Sequence, residues 1–230
     1  LAIGAGGARG RTQPRALIEL FVMSRCPDAR RAETRFNEVV HGIADVRTLY
    51  IAEPDAAGNV SCKHGAAECA GDAQQLCAAR AGREACGASG AAGCDPFQAG
   101  WSFLTCQNER FADVGSLELA DSCLQAAGFT DRQAARVRGC WAGPEGEQLL
   151  RASAAESRRR GASKSCTVHI GGRYRCTHDD DEWYDCPGGS EVSDFVASVC
   201  SEYQRQSGRW PEDVCGPEPA AGLEGAAVTA

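Results

Sequence analysis

Cys26 is the residue in this chain whose surroundings best suit covalent chemistry. It directly follows the apolar run Ala16 to Met23 (ALIELFVM) and the pair Ser24-Arg25, and it precedes Pro27. Proline is well tolerated in the first turn of a helix, where its missing N–H has no partner to lose. Cys26 is therefore expected at a helix N-terminus, where unpaired backbone N–H groups and the positive end of the dipole favour a thiolate. A thiolate is the attacking species in disulfide exchange. A dithiol turn carries its resolving cysteine three residues on, one helical turn away, but that position here is Ala29. Asp28 lies between them, and its negative charge opposes thiolate formation. From spacing alone two readings stand open: Cys26 is a reactive thiol, or it is one end of a structural disulfide.

The other chemistry-bearing residues form weaker patterns. His64 stands two residues from Cys62, but this spacing lacks the further ligands of a zinc site. Asp179, Asp180, Asp181 and Glu182 lack the Gly and final Glu of a calcium loop, so they read as a solvated hairpin tip. Ser153, Ser157 and the histidines form no nucleophile elbow. Trp101, Phe103 and Trp141 read as core. No metal and no cofactor is expected.

These residues need elements to hold them. Ala16 to Met23 has the length and composition of a buried strand. From Asp28 to Ile43, apolar residues at Ala32, Phe36, Val39, Val40 and Ile43 have helical spacing. Asp45 to Ala52 reads as a second strand, completing a right-handed strand–helix–strand unit. Residues 54–100 break this pattern with five cysteines before residue 95. A helix is expected over Ala66 to Arg80 and a loop over Gly82 to Gly93. Further helices are expected at Trp101–Gln107, Leu117–Ala127, Asp131–Cys140 and Glu145–Arg160, with Gly128, Gly143 and Gly161 as stops. Cys166 to Ile170, the turn Gly171-Gly172 and Arg173 to Cys176 form a hairpin. Val192 to Tyr203 is a closing amphipathic helix. This order is that of an α/β thioredoxin-like fold with a Cys-rich, mainly helical insertion at about 54–160. Residues 1–14 are expected to be a flexible lead, 15–216 the domain and 217–230 a disordered tail.

Composition narrows the function. The 230 residues carry 24 basic and 31 acidic side chains, and no apolar run is long enough to cross a membrane. The acidic balance and the absence of a basic cluster beyond Arg158–Arg160 argue against nucleic-acid binding. Hydrophobic residues make up 43%, but 39 of them are alanines, so the large apolar core is modest and the 14 cysteines are expected to reinforce it. An even cysteine count together with the sequon Asn59-Val60-Ser61 points to an oxidising, secretory compartment, with Asn59 a glycosylation candidate. The start at Leu1 reads most simply as a chain whose signal peptide has been removed.

The segment Cys62-Lys63-His64-Gly65-Ala66-Ala67-Glu68-Cys69, continuing to Asp72 and Cys77, resembles the signature of the gamma-interferon-inducible lysosomal thiol reductase family, CxHGxxEC-xx-N-xxxx-C. Asp72 stands where the family has Asn. LFVMSRCPDA, WSFLTCQN, SCTVHI and DFVASVCSEY follow in the family's order, so the resemblance spans about residues 16–205. It implies a thioredoxin-like domain that reduces protein disulfides in acidic endosomal, lysosomal or vacuolar compartments, using a first cysteine matched by Cys26. The second cysteine has no match at Ala29. Cys166 replaces a proline that is commonly cis and faces the active-site cysteine; because cis bonds are largely a proline property, a trans bond is expected here.

These departures suggest that Cys166 is the resolving thiol or bonds to Cys26. The bland alternative pairs Cys166 elsewhere. By position, Cys123–Cys140, Cys176–Cys186 and Cys200–Cys215 are the other candidate bridges. Two functions remain: a secreted, lysosomal or vacuolar thiol–disulfide oxidoreductase, or an inactive disulfide-stapled binding or scaffold protein that kept the fold. The first takes a disulfide-containing protein as substrate and a small thiol or a protein as reductant.

Overall fold

The computed structural model describes residues 15–39, 43–54, 60–89 and 94–219. The expected lead, Asn59 and most of the expected tail lie outside them. The first apolar run is strand β1 (Ala16–Val22), and six of its seven residues are buried, among them Glu19, which pairs with Arg160 at 2.9 Å. Helix α1 (Pro27–Val39) follows and lays Ala29, Ala32, Phe36 and Val39 into the core. Strand β2 (Ala44–Tyr50) returns parallel to β1, with Val22 opposite Tyr50. A short ribbon, β3 (Glu53–Pro54) with β4 (Val60–Ser61), leads into the insertion.

The insertion is helical: α2 (Ala66–Ser89), α3 (Gln98–Glu109), α4 (Leu117–Ala126), α5 (Asp131–Ala142) and α6 (Pro144–Arg159). Local chemistry sets its boundaries. Ser116 caps α4, Thr130 and Gln133 form a capping box on α5, and Pro144 opens α6. Helix α2 runs well past the expected end at Arg80 and takes in Gly82–Ser89 of the segment expected to be loop. Its alanines favour helix strongly. The glycines let α3 come close: a Cβ on Gly100 would lie 2.6 Å from Ala79 Cα, and one on Gly82 would lie 3.2 Å from Ala99 Cβ. α2 is the hub against which α3, α5 and α6 pack.

The chain then forms β5 (Thr167–Ile170), β6 (Arg173–Asp179) and β7 (Glu182–Tyr184), followed by α7 (Val192–Ser207) and a short α8 (Glu212–Cys215). Gly171 and Gly172 take positive φ in the β5–β6 turn, and Asp180 and Asp181 do the same at the β6–β7 tip. The sheet order is β2-β1-β5-β6-β7, with β5 antiparallel to β1. A parallel strand–helix–strand unit followed by an antiparallel hairpin and a helix makes the fold thioredoxin-like. One core surrounds this sheet; a second, with Phe103, Leu119, Leu124 and Val137, fills the insertion.

Six disulfides join Cys62–Cys69, Cys77–Cys140, Cys86–Cys94, Cys106–Cys123, Cys176–Cys186 and Cys200–Cys215. Cys123 and Cys140 are not joined, although they lie on successive helices. Helix α4 packs against α3, which brings Cys106 to Cys123, whereas α5 packs against α2, which brings Cys77 to Cys140. Helix packing, not order along the chain, selects the partners.

Candidate active site

β1 ends at Val22, and the chain turns through Met23, Ser24 and Arg25 into α1. Cys26 N–H donates to Met23 O at 2.9 Å, and Arg30 N–H donates to Cys26 O at 3.2 Å, so Cys26 occupies the cap of α1. Its side chain is 9% exposed. The Sγ atom lies 3.5 Å from the carbonyl oxygen of Ser165, and the Ser165 hydroxyl accepts a 2.9 Å hydrogen bond from Met23 N–H. The turn is thereby docked on the loop before β5.

Cys166 follows in that loop and is fully buried. Its backbone exchanges two 2.8 Å hydrogen bonds with His178, so the two residues form a directly paired couple whose side chains share a face. The Ser165–Cys166 peptide is cis, not trans as expected; the local preference of a non-proline residue does not decide the isomer here. Cys26 and Cys166 are both free thiols, so the Cys26–Cys166 disulfide is absent from this structure. Burial pushes the Cys166 thiol well above the usual range, and Glu33, Cys26 and Asp28 push it further. Ala29 is buried and offers no chemistry.

The signature segment grips the turn from the other side. Ser24 N–H donates to Asp72 Oδ1 at 3.0 Å, Ser24 Oγ to Glu68 O at 3.2 Å, and Arg25 N–H to Glu68 Oε2 at 3.3 Å. Gly71 makes this approach possible, since a Cβ there would lie 2.7 Å from Ser24 Oγ. His64 N–H and Nδ1 engage Glu68 at 3.1 and 2.5 Å. Gly65, at φ +87°, turns the chain after Cys62, and Cys69 bonds back to Cys62. Cys77 anchors the middle of α2 to Cys140. The signature therefore supports the turn; with Cys62 and Cys69 bonded to each other, neither serves with His64 as a metal ligand.

Burial pushes Asp72 well above the usual carboxylate range, against the pull of its bonds from Ser24; Glu68 and Glu33 push it higher still. A protonated Asp72 offers one accepting and one donating oxygen, much as the asparagine of the resembled signature offers an acceptor and a donor. Glu33 is pushed up to about 7 by burial, against the pull of a 2.6 Å hydrogen bond from Asn108 Nδ2; its other oxygen, Oε1, is buried without a partner.

Two residues of this neighbourhood are not singled out in the sequence, Glu33 and His178; Asp28 and Asp181 are, but not as a group with His178. Glu33 carried a signal, a charge four residues after Ala29 and three before Phe36 on the apolar face of α1. His178 Nδ1 lies 3.0 Å from Asp28 Oδ1, and Asp181 N–H donates to the same oxygen at 3.0 Å. Burial holds His178 below the usual histidine range, against the pull of Asp28 and Asp181. Asp28 is thus drawn toward the β6–β7 tip.

Residues 17–127 match the family model "Gamma interferon inducible lysosomal thiol reductase (GILT)". No curated protein matches the chain. Among solved structures, the oxidoreductase DsbA from Xylella fastidiosa is similar at 13% identity, covering 85% of this chain and 88% of that one, with a TM-score of 0.49. DsbA from Mycobacterium tuberculosis (reduced) shows 15% identity over 91% of both chains, with a TM-score of 0.47. The disulfide bond oxidoreductase DsbG from Mycobacterium tuberculosis shows 16% identity over 91% of this chain and 86% of that one, with a TM-score of 0.48.

Proposed function

With residues 17–127 matching the gamma interferon inducible lysosomal thiol reductase family model, we propose that this chain reduces protein disulfides through Cys26, with Cys166 as the resolving thiol. One observation carries the reading. Among 14 cysteines, the two left out of the six disulfides are Cys26, at the cap of α1, and Cys166, whose preceding residue Ser165 has its carbonyl oxygen 3.5 Å from Cys26 Sγ. The Cys26 thiolate attacks one sulfur of a substrate disulfide, forming a mixed disulfide and expelling the other sulfur as a thiolate. Cys166 then loses its proton and attacks the Cys26 sulfur. The substrate leaves with both sulfurs reduced, and the electron pair has come from the Cys26–Cys166 dithiol, now a disulfide. An external thiol restores the dithiol. The burial of Cys166 makes the second step the slower one.

The disulfides and the family match are consistent with a secretory or lysosomal protein. Among the described residues no helix is long and apolar enough to cross a membrane. We place the chain in an acidic compartment of that pathway.

The test combines alkylation of native protein, disulfide mapping by mass spectrometry and turnover of a denatured disulfide substrate. The wild-type chain is expected to reduce the substrate and Cys26→Ser to be inactive. Cys166→Ser should keep Cys26 alkylatable and accumulate a mixed disulfide with substrate. A Cys26 that stays inert in native protein, with no turnover, would replace this reading with that of a scaffold.

A further inference from the structure

The cap of α1 and the β6–β7 tip bring together side chains from distant parts of the chain. Asp28 comes from the first turn of α1, His178 from β6 and Asp181 from the tip. One donor atom from each lies within 4.8 Å of the other two. Two features separate this group from an ordinary acidic patch. One donor is an imidazole nitrogen. That nitrogen is also buried and unsatisfied: His178 is 3% exposed, and Nδ1 makes no hydrogen bond although it lies 3.0 Å from Asp28 Oδ1. It points at the carboxylate without the alignment a hydrogen bond needs.

Arg31 is the cation now beside the group. Its Nε lies 3.1 Å from Asp181 Oδ1, and its Nη1 lies 3.7 Å from Asp28 Oδ1. Arg31 lies against the two carboxylates, and none of its N–H groups donates to His178 Nδ1. Arg31 is half exposed and free to swing into solvent. A small cation in its place would serve all three groups.

We propose that Asp28, His178 and Asp181 form a binding site for a divalent cation of the zinc class. One imidazole nitrogen and two carboxylate oxygens suit a borderline metal ion, with water as the fourth ligand. Zn–N and Zn–O distances of about 2.0–2.2 Å put neighbouring tetrahedral ligands roughly 3.3 Å apart. The His178–Asp28 pair already has nearly that separation, and Asp181, on the hairpin tip, has only a short distance to close. The site is distinct from the Cys26–Cys166 pair but two residues from Cys26, so an occupied site would pin the tip across the active turn.

The experiment is a zinc titration of the intact protein followed with a competing chromophoric chelator. A parallel titration uses protein whose Cys26 and Cys166 are both replaced by Ser. Uptake of one Zn²⁺ is expected in both. It should weaken by about tenfold or more in His178→Gln and in Asp181→Asn, and strengthen in Arg31→Ala, where the competing cation is gone. Asp181 and Arg31 are exposed at the surface, so their variants report even where His178→Gln fails to fold. Absence of uptake in both the wild type and Arg31→Ala would leave only an ion-pair network. Uptake that Asp181→Asn does not change, or that disappears in the thiol-free protein, would assign the metal to other ligands. Any of these results overturns the proposal.

Discussion

Replacing Glu33 with glutamine isolates the effect of one buried carboxyl on stability. Glu33 is pushed up from 4.5 to about 7 because burial penalises its charged form more than the Asn108 hydrogen bond favours it. A group whose pKa is higher folded than unfolded binds its proton more tightly in the native state. Its contribution is complete below pH 4.5 and is lost as pH rises through about 7. A shift of this size, at about 1.4 kcal/mol per pKa unit, makes the folded state about 3 kcal/mol less favourable at pH 8 than at pH 4 through this group alone. The amide introduced by Glu33→Gln would keep an acceptor for Asn108 and carry no charge. Urea unfolding with the disulfides intact should therefore show that Glu33→Gln changes stability little at acidic pH and raises it by about 3 kcal/mol at mildly alkaline pH. His169 and His178, both held below the usual range, oppose this trend in the wild type, as does Glu202. All three persist in the variant, so they cancel in the difference. Parallel stability–pH curves for the two proteins would refute the assignment of a proton to Glu33.

Asp72→Asn should likewise gain stability at neutral pH while holding Ser24 N–H, whereas Asp72→Ala strips that buried donor of its acceptor and should cost about 1–3 kcal/mol in denaturant unfolding. Gly100→Ala would place a methyl against the backbone of Ala79, and calorimetry should show a loss of about 1–3 kcal/mol as α2 and α3 are forced apart. Removing Cys77–Cys140, which spans 63 residues, should cost about 4 kcal/mol by the chain-entropy relation. The same relation gives about 2 kcal/mol for Cys62–Cys69, which spans 7, and paired Cys→Ala variants compared by urea unfolding would rank them.

Much of the frame was legible because single sequence features decide it. The mostly apolar run at Ala16 and the apolar periodicity after Asp28 specify β1 and α1 locally, although the buried Glu19 within β1 depends on the distant Arg160. Pro27 marks the start of α1 and so the place of Cys26. The far half of α2 was not legible, because alanine and glycine together suit either loop or closely packed helix, and the choice rests on α3 lying against Gly82 and Ala79. Cysteine partners depend on which helices pack, which is why Cys140 meets Cys77 across the insertion. The site divides in the same way. Cys26 announced itself by its neighbours, and Cys166 by standing where the resembled family has proline. Asp28 and His178 are 150 positions apart, and no spacing rule connects them. Glu33 was visible as a charge on an apolar face, but its meaning depends on the depth to which α1 is buried.

The grip of α2 on the turn bears on how far this protein can be reduced to parts. Ser24 and Arg25 have their backbone N–H groups satisfied by carboxylates of the insertion, and Tyr50 N–H at the end of β2 is satisfied by Ser153 of α6. The sheet unit is thus not a self-sufficient module onto which helices were grafted. Excising the insertion to obtain a minimal domain would expose the β2 side of the sheet and strand those donors in the chain that must present Cys26. The smallest portable version of this site contains both cores, and grafts of the Cys26 turn onto other scaffolds must bring equivalents of Glu68 and Asp72 with them.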